Sequence, residues 1–307
     1  MAGQCAGTPE PPRGKGNPAV PKSGFREAAL NVNDAVPCFH GDRTLDINER
    51  MKNSRIILTG ASAGIGRALA LEYARRGAQL LLVARRRPLL DELAGEVREL
   101  GGRCEILAAD VADPGSAATA VAIAREAFGG VDMVLLNAGR GGPMFVDAFD
   151  AEEAEMVMRV NYFGIVRMVE AILPYMLAEG RGTIAAVSSL AAYLGMPGSG
   201  AYNASKAAAT ILMESLRTEL RPRGIDVITI APGFVRTAMT AQNEFSMPFI
   251  MEPEAAAARI ARAIDRRTSL YRFPLATSLT IRLLSALPHS LYDRIVMWGR
   301  STMLRKR

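Results

Sequence analysis

Tyr202 and Lys206 stand four residues apart in the segment Tyr202-Asn203-Ala204-Ser205-Lys206, which opens an apolar stretch with helical spacing. That separation puts both side chains on one helical face. A free phenol has a pKa of about 10, too high for efficient proton transfer at neutral pH. A neighbouring ammonium favours the phenolate and lowers that value, so the pair can give and take the proton of an alcohol/carbonyl interconversion. Such pairs also occur on solvated helices, which makes the neighbours decisive. Ser188 and Ser189 end an apolar run at 183–187, and Ser189 precedes Tyr202 across a loop containing Gly195, Pro197, Gly198 and Gly200. A hydroxyl there can hold a substrate oxygen as charge develops on it. It can equally satisfy loop backbone.

A second constellation lies near residue 60. Gly60, Gly64 and Gly66, with Ser62 and Ile65 between them, fall between an apolar run at 56–58 and a helical pattern carried by Ile65, Leu69 and Tyr73. Glycines in a strand-to-helix turn let backbone approach a pyrophosphate, whose charge the helix N-terminus favours. Residues 60–64 also spell the G-x-S-x-G of a hydrolase nucleophile elbow. That reading needs a later histidine, for which His289 is the only candidate, and preceding strands that residues 1–50 do not offer. After the next apolar run, at 80–83, come Arg85, Arg86 and Arg87 with no acid before Asp91. A carboxylate there would suit the ribose hydroxyls of NAD, whereas arginine suits the 2′-phosphate of NADP. The run points toward NADP(H), with a solvated charged surface as the plainer alternative.

Metal chemistry has little support. Cys5, Cys38 and Cys104 are odd in number and far apart, and His40 and His289 lie near opposite ends. No zinc or H-E-x-x-H pattern results, no disulfide framework is indicated, and reducing, cytoplasmic conditions are expected.

The elements that must position these residues follow from periodicity. Strand-like runs at 56–58, 80–83, 105–108, 131–136, 183–187 and 225–230 alternate with helical stretches at 64–76, 88–100, 116–128, 152–177 and 202–221. Alternation of this kind predicts βαβ units, hence an α/β fold: one doubly wound domain with a parallel sheet over 51–273. A helix at 254–265 and a strand at 268–273 complete it. Residues 1–50 hold six prolines and equal numbers of acidic and basic side chains without an apolar face, and read as a poorly ordered extension. They carry no secretory h-region, and Met51 is a candidate translation start.

Taken together, these residues resemble the short-chain dehydrogenase/reductase family, in its single-domain Tyr-x-x-x-Lys branch. The matching positions are 59–66, Asp110, Asn137-Ala138-Gly139, Asn161, Ser189, Tyr202, Lys206, Pro232-Gly233 and Thr237. Leu136 stands where many members have a first asparagine. The resemblance implies a Rossmann fold and the following roles. Gly60, Ser62, Gly64, Ile65 and Gly66 would cradle the cofactor pyrophosphate, Arg85 and Arg86 would take its 2′-phosphate, and Asp110 with Val111 would meet adenine. Asn137, Ala138 and Gly139 would brace the fourth strand beside the cofactor. Pro232, Gly233, Val235 and Thr237 would fix the carboxamide. Tyr202 would act as general acid/base, Lys206 would lower its pKa and hold the nicotinamide ribose, Ser189 would polarise the carbonyl, and Asn161 would hold a water in a proton relay. It also implies a homodimer or homotetramer paired through the long fourth and fifth helices. A catalytically weak NADP-binding scaffold is the alternative.

Residues 238–251 resemble the family's substrate loop, and with Met144, Phe145, Tyr193, Leu194 and Met196 they suggest a pocket for a lipophilic alcohol or ketone. Beyond 273 a tail repeats Leu279, Leu283 and Leu287, then Leu291, Ile295 and Trp298, with Pro288 between. This basic, amphipathic tail resembles those of hydroxysteroid-dehydrogenase-like members. It suits either a membrane interface or a helix pair packed on the domain or a subunit. The chain's net +6 is concentrated there: residues 266–307 hold nine Lys/Arg against Asp293 alone, and the remainder is nearly neutral. A general nucleic-acid surface is therefore not expected.

Overall fold

Ile56, Ile57 and Leu58 are each no more than 1% exposed, because their strand lies mid-sheet with helices on both faces. The computed structural model describes residues 51–243 and 247–304, with side chains as far as Trp298. The expected extension at 1–50, residues 244–246 of the loop and the last cationic side chains lie outside the described residues. The strands are β1 (Arg55–Thr59), β2 (Gln79–Ala84), β3 (Arg103–Ala108), β4 (Met133–Leu136), β5 (Gly182–Val187), β6 (Ile225–Pro232) and β7 (Leu270–Phe273). They form one parallel sheet in the order β3-β2-β1-β4-β5-β6-β7.

The strand order reverses between β1 and β4, earlier strands being added on one side and later ones on the other, which opens a crevice at the carboxyl edge of the strands. On one face α1 (Gly64–Arg75), α2 (Arg87–Glu99) and α7 (Pro253–Asp265) bury Ile56, Leu58, Leu80 and Leu82. On the other, Ile57, Leu81, Val134 and Leu136 meet α3 (Ser116–Phe128) and two later helices, α5 (Gly164–Glu179) and α6 (Gly200–Leu220). Successive strand residues thus serve opposite layers.

Several strand boundaries move by one or two residues from expectation: β3 begins at Arg103 and β6 runs on to Pro232. β4 begins at Met133 because Asp132 is engaged at the amino edge, where its carboxylate takes Arg55 Nη2 at 2.7 Å and Nε at 2.8 Å. β7 begins at Leu270, two residues later than its pattern suggested. More consequential is the stretch 152–177, which is not one uniform helix. It comprises α4 (Ala151–Met158), a π turn (Arg159–Phe163) and then α5. The wider turn inserts one residue into the helical repeat and resets which side chains face the sheet on either side of it. The chain ends in α8 (Leu275–Ser285) and α9 (His289–Leu304).

Candidate active site

The apolar run of β5 ends at Val187, and its carbonyl accepts a 2.9 Å hydrogen bond from Lys206 Nζ on the second turn of α6. Lys206 is 4% exposed, and its Nζ lies 5.9 Å from the centre of the Tyr202 ring. Ser189 lies two residues beyond the end of β5. Its hydroxyl hydrogen-bonds the Tyr202 phenol and accepts from the Ala191 amide at 3.1 Å. Three side chains that are distant in sequence thus meet at the carboxyl edge of one strand. Ser188 ties the same strand to α6, donating to the Lys206 carbonyl and meeting Thr210 Oγ1 at 2.7 Å.

Burial dominates the electrostatics here. It pushes the Lys206 ammonium down to about 8, because the charged form has lost its water. It also raises the Tyr202 phenol above its ordinary value, with the Ser189 hydrogen bond pulling the other way. The sequence suggested that Lys206 would depress the phenol. In this structure burial raises it, and the ammonium is engaged with a strand carbonyl.

Asn161 sits in the π turn with no exposed surface. Its Oδ1 accepts from the Arg140 amide at 2.7 Å, and its Nδ2 donates to the Arg140 carbonyl and to Ser205 Oγ, both at 2.8 Å. The amide therefore clamps the loop after β4 to the second turn of α6. A salt bridge from Arg140 to Glu153 at 2.6 Å fastens the same loop to α4, whose start is capped by Asp150. Gly139 lies over this junction: a β-carbon there would come within 3.5 Å of Asn161 Oδ1 and 3.6 Å of Lys206 Nζ.

The glycine turn is packed to backbone tolerance. Gly60 has φ +68°, and a β-carbon on it would lie 2.7 Å from Ala138 Cα. One on Gly66 would lie 2.6 Å from Asn137 Nδ2, the group that donates to the carbonyls of Thr59 and Gly60. Thr59 Oγ1 returns the connection by accepting the Asn137 and Ala138 amides. Across the crevice, Thr237 Cγ2 would be 2.8 Å from a β-carbon on Gly64. No side chain caps the N-terminus of α1, because Ala63 occupies that position. Arg86 Nη2 reaches Ser62 Oγ at 3.1 Å, and Arg85 stands 3.6 Å from Asp110, which turns the chain by accepting the Ala112 amide. Val111 packs beside Gly164 at the start of α5, and Gly233 donates to the Phe273 carbonyl just after Pro232. Val235 is buried and bridges to Met251, which pins both ends of the expected substrate loop.

The expected apolar wall divides. Met144 and Phe145 pack at Gly198. Tyr193, Leu194 and Met196 instead line a cavity of about 870 Å³ bounded by α6 and α9, and neither Ser189 nor Tyr202 lines it. The Tyr202 ring is instead covered by Gly141, whose β-carbon would lie 2.8 Å away. Among the described residues no cluster of three or more His, Cys, Asp or Glu could hold a metal ion.

Comparison with known proteins bears directly on this arrangement. The family model for short chain dehydrogenases matches residues 54–246. The chain belongs to that family. An uncharacterized oxidoreductase of Myxococcus xanthus is 37% identical over 237 residues, which is 77% of this chain and 94% of the relative. The 11-beta-hydroxysteroid dehydrogenase 1A of Arabidopsis thaliana is 38% identical over 65% of this chain and 57% of the plant protein. Among solved structures, a short chain dehydrogenase/reductase from Burkholderia phymatum in complex with NAD superposes with a TM-score of 0.71. It is 26% identical and covers 76% of this chain and 93% of its own. This short-chain dehydrogenase is accordingly an oxidoreductase by family, with a nucleotide-binding Rossmann fold.

Ser205, Thr210 and the Arg140 backbone were not singled out from sequence. Their partners lie on other elements, Asn161 being 44 positions from Ser205, so no local pattern marks them. Two outcomes follow. Asn161→Ala leaves the Arg140 N–H and carbonyl without their side-chain partner and removes one donor from Ser205 Oγ in a buried site, and should cost about 2–4 kcal/mol of stability by denaturant unfolding. A loss under 0.5 kcal/mol would contradict the clamp. Lys206 has a folded pKa of about 8 against an ordinary 10.5, so the unfolded chain holds its proton more tightly, and Lys206 costs stability below pH 8. That cost fades as the pH rises toward 10.5. Lys206→Met should therefore compare best with the parent near pH 7 and lose several degrees of relative Tm by pH 10, since about 1 kcal/mol moves Tm by 2–4 °C in a domain this size. A flat difference in Tm across that range would refute the shift.

Proposed function

We infer that the protein is an NADPH-preferring oxidoreductase that interconverts a lipophilic alcohol and its ketone or aldehyde. The observation that carries this reading is the convergence of Tyr202, Ser189 and Lys206 at the carboxyl edge of β5. The glycine cradle fits a dinucleotide: a β-carbon at Gly60 or Gly66 would strike neighbouring backbone and Asn137, and the N-terminus of α1 has no side-chain cap. Gly60, Ser62, Gly64, Ile65 and Gly66 would hold the pyrophosphate, Arg85 and Arg86 the 2′-phosphate, and Asp110 and Val111 the adenine. Asn137, Ala138 and Gly139 would form the floor, and Pro232, Gly233, Val235 and Thr237 the carboxamide side. Bound there, a nicotinamide supplies the hydride donor or acceptor.

The chain's own residues handle the proton. Tyr202 is a protonated phenol at neutral pH, its value raised by burial, and so is ready to donate to a carbonyl oxygen as that oxygen gains charge. Ser189, already hydrogen-bonded to the phenol, would hold the same oxygen. Lys206 would restore the proton and bind the ribose hydroxyls. Asn161, with its side chain engaged by Arg140 and Ser205, would serve the relay through the position of its turn. The apolar loop 238–251 favours a lipophilic substrate, consistent with the hydroxysteroid dehydrogenase named among the relatives. Exposed Phe163 and Ile211, on the outer surfaces of the π turn and α6, support pairing into a homo-oligomer.

Tyr202→Phe should lower kcat about 10²–10⁴-fold while leaving the Kd for NADPH within threefold. Equal turnover would overturn the assignment of Tyr202, and a parent that binds NADPH without oxidising it across a panel of lipophilic ketones would favour the scaffold. Replacing Arg85 and Arg86 together by Ala should cut kcat/KM for NADPH at least tenfold, consistent with loss of about 1.5–3 kcal/mol per charge-assisted contact, and change NADH use less than threefold. Activity with NADH alone would refute the arginine reading.

A further inference from the structure

The two C-terminal helices carry their side chains in an unusual order. On α8 the buried positions include Thr277 and Ser278, at 9% and 5% exposure, whereas Leu275, Leu279 and Leu283 face outward at 71%, 48% and 72%. These three leucines recur every four residues and so form one helical stripe. On α9, Tyr292 and Val296 turn inward to line the cavity, and the Tyr292 hydroxyl bonds the Gly195 carbonyl. Ile295 and Trp298 remain 40% and 71% exposed. Solvent would select the opposite arrangement on a surface helix, with leucine inward and hydroxyls outward. An outward apolar stripe on α8, followed by exposed apolar side chains on α9, marks surface that something covers.

Charge identifies the occupant. Residues 275–307 contain six Lys/Arg and one acid, while the rest of the chain is near neutral. Arg282 and Arg294 are exposed beside the stripe. A second copy meeting this face about a two-fold axis would bring two cationic tails together, which is unfavourable. An anionic lipid surface satisfies both features: acyl chains receive the leucines and headgroups receive the arginines. Among the described residues no helix is long and apolar enough to cross a bilayer, so the contact lies in the interface plane. Met297 is 64% exposed and also lines the cavity between α9 and α6, so that cavity adjoins exposed apolar surface of α9.

We propose that α8 and α9 seat the protein on anionic membrane through the stripe of Leu275, Leu279 and Leu283 with Ile295 and Trp298. Trp298 is the chain's only tryptophan, which makes its emission a direct reporter. The test uses the full chain with vesicles of phosphatidylcholine containing one fifth phosphatidylglycerol, and with pure phosphatidylcholine. Expected are co-sedimentation with the anionic vesicles at low salt, a blue shift of Trp298 emission, and at least tenfold weaker binding to the neutral vesicles. The triple variant Leu275→Gln, Leu279→Gln, Leu283→Gln, altered only at exposed positions, should lose at least tenfold of the anionic binding with unchanged far-ultraviolet dichroism and unchanged turnover of a water-soluble ketone. The proposal falls if the parent binds neither vesicle, or if the triple variant binds as the parent does. It also falls if the variant loses a self-association that the parent shows without lipid, which would assign the stripe to a second copy.

Discussion

One buried amide holds the crevice in register. Asn161 has no contact with solvent, and its three hydrogen bonds join the loop leaving β4, the π turn and the second turn of α6. Inside a protein such a group is costly unless every polar atom is satisfied, so the backbone at Arg140 and the hydroxyl of Ser205 are fixed along with it. Ser205 adjoins Lys206, and its hydroxyl donates in turn to the Tyr202 carbonyl at 2.7 Å. The amide therefore determines where α6 begins relative to the loop that covers the Tyr202 ring. A uniform α-helix through 152–177 would have changed the face on which residue 161 falls. The π turn is the local irregularity that the clamp requires.

Around that clamp, charge is handled by burial rather than by exposed pairing. Lys206 is almost wholly enclosed and spends one N–H on the Val187 carbonyl, which leaves its remaining donors directed by position rather than by solvent. The neighbouring phenol is kept protonated by the same enclosure, and Ser189 provides its hydrogen-bonding partner. In the proposed reaction these values are starting points. An electron-rich carbonyl oxygen would draw the phenolic proton, and the lysine would return it.

Much of this was legible in the chain. The alternation of apolar runs with helical spacings predicts the doubly wound sheet because each strand and each helix must bury its own face, a local requirement that leaves a local pattern. The glycines at 60, 64 and 66 are legible for a related reason: backbone approach excludes a β-carbon, and only one residue type meets that condition. Three features were not legible. The π turn leaves no mark, since Arg159-Val160-Asn161-Tyr162-Phe163 reads as ordinary helix. The Asn161–Ser205 bond depends on two helices that are neighbours only after the sheet has formed. The balance between burial and charge at Tyr202 depends on how much water the folded crevice excludes, which spacing alone does not encode. The tail's apolar stripe was visible in sequence, but its outward direction is a property of packing.

The reaction proposed for the Tyr202–Ser189–Lys206 site is a hydride transfer between a nicotinamide and a carbonyl carbon. It is tested most directly by incubating the full chain with NADPH deuterated at C4 and a lipophilic ketone, then locating the label in the product by mass spectrometry. Expected is one deuterium on the carbinol carbon when the deuterium occupies one face of the ring and none when it occupies the other, with a slower rate in the transferring case. Alcohol formed without label from either cofactor, or no alcohol from any ketone while NADPH remains bound, would contradict it.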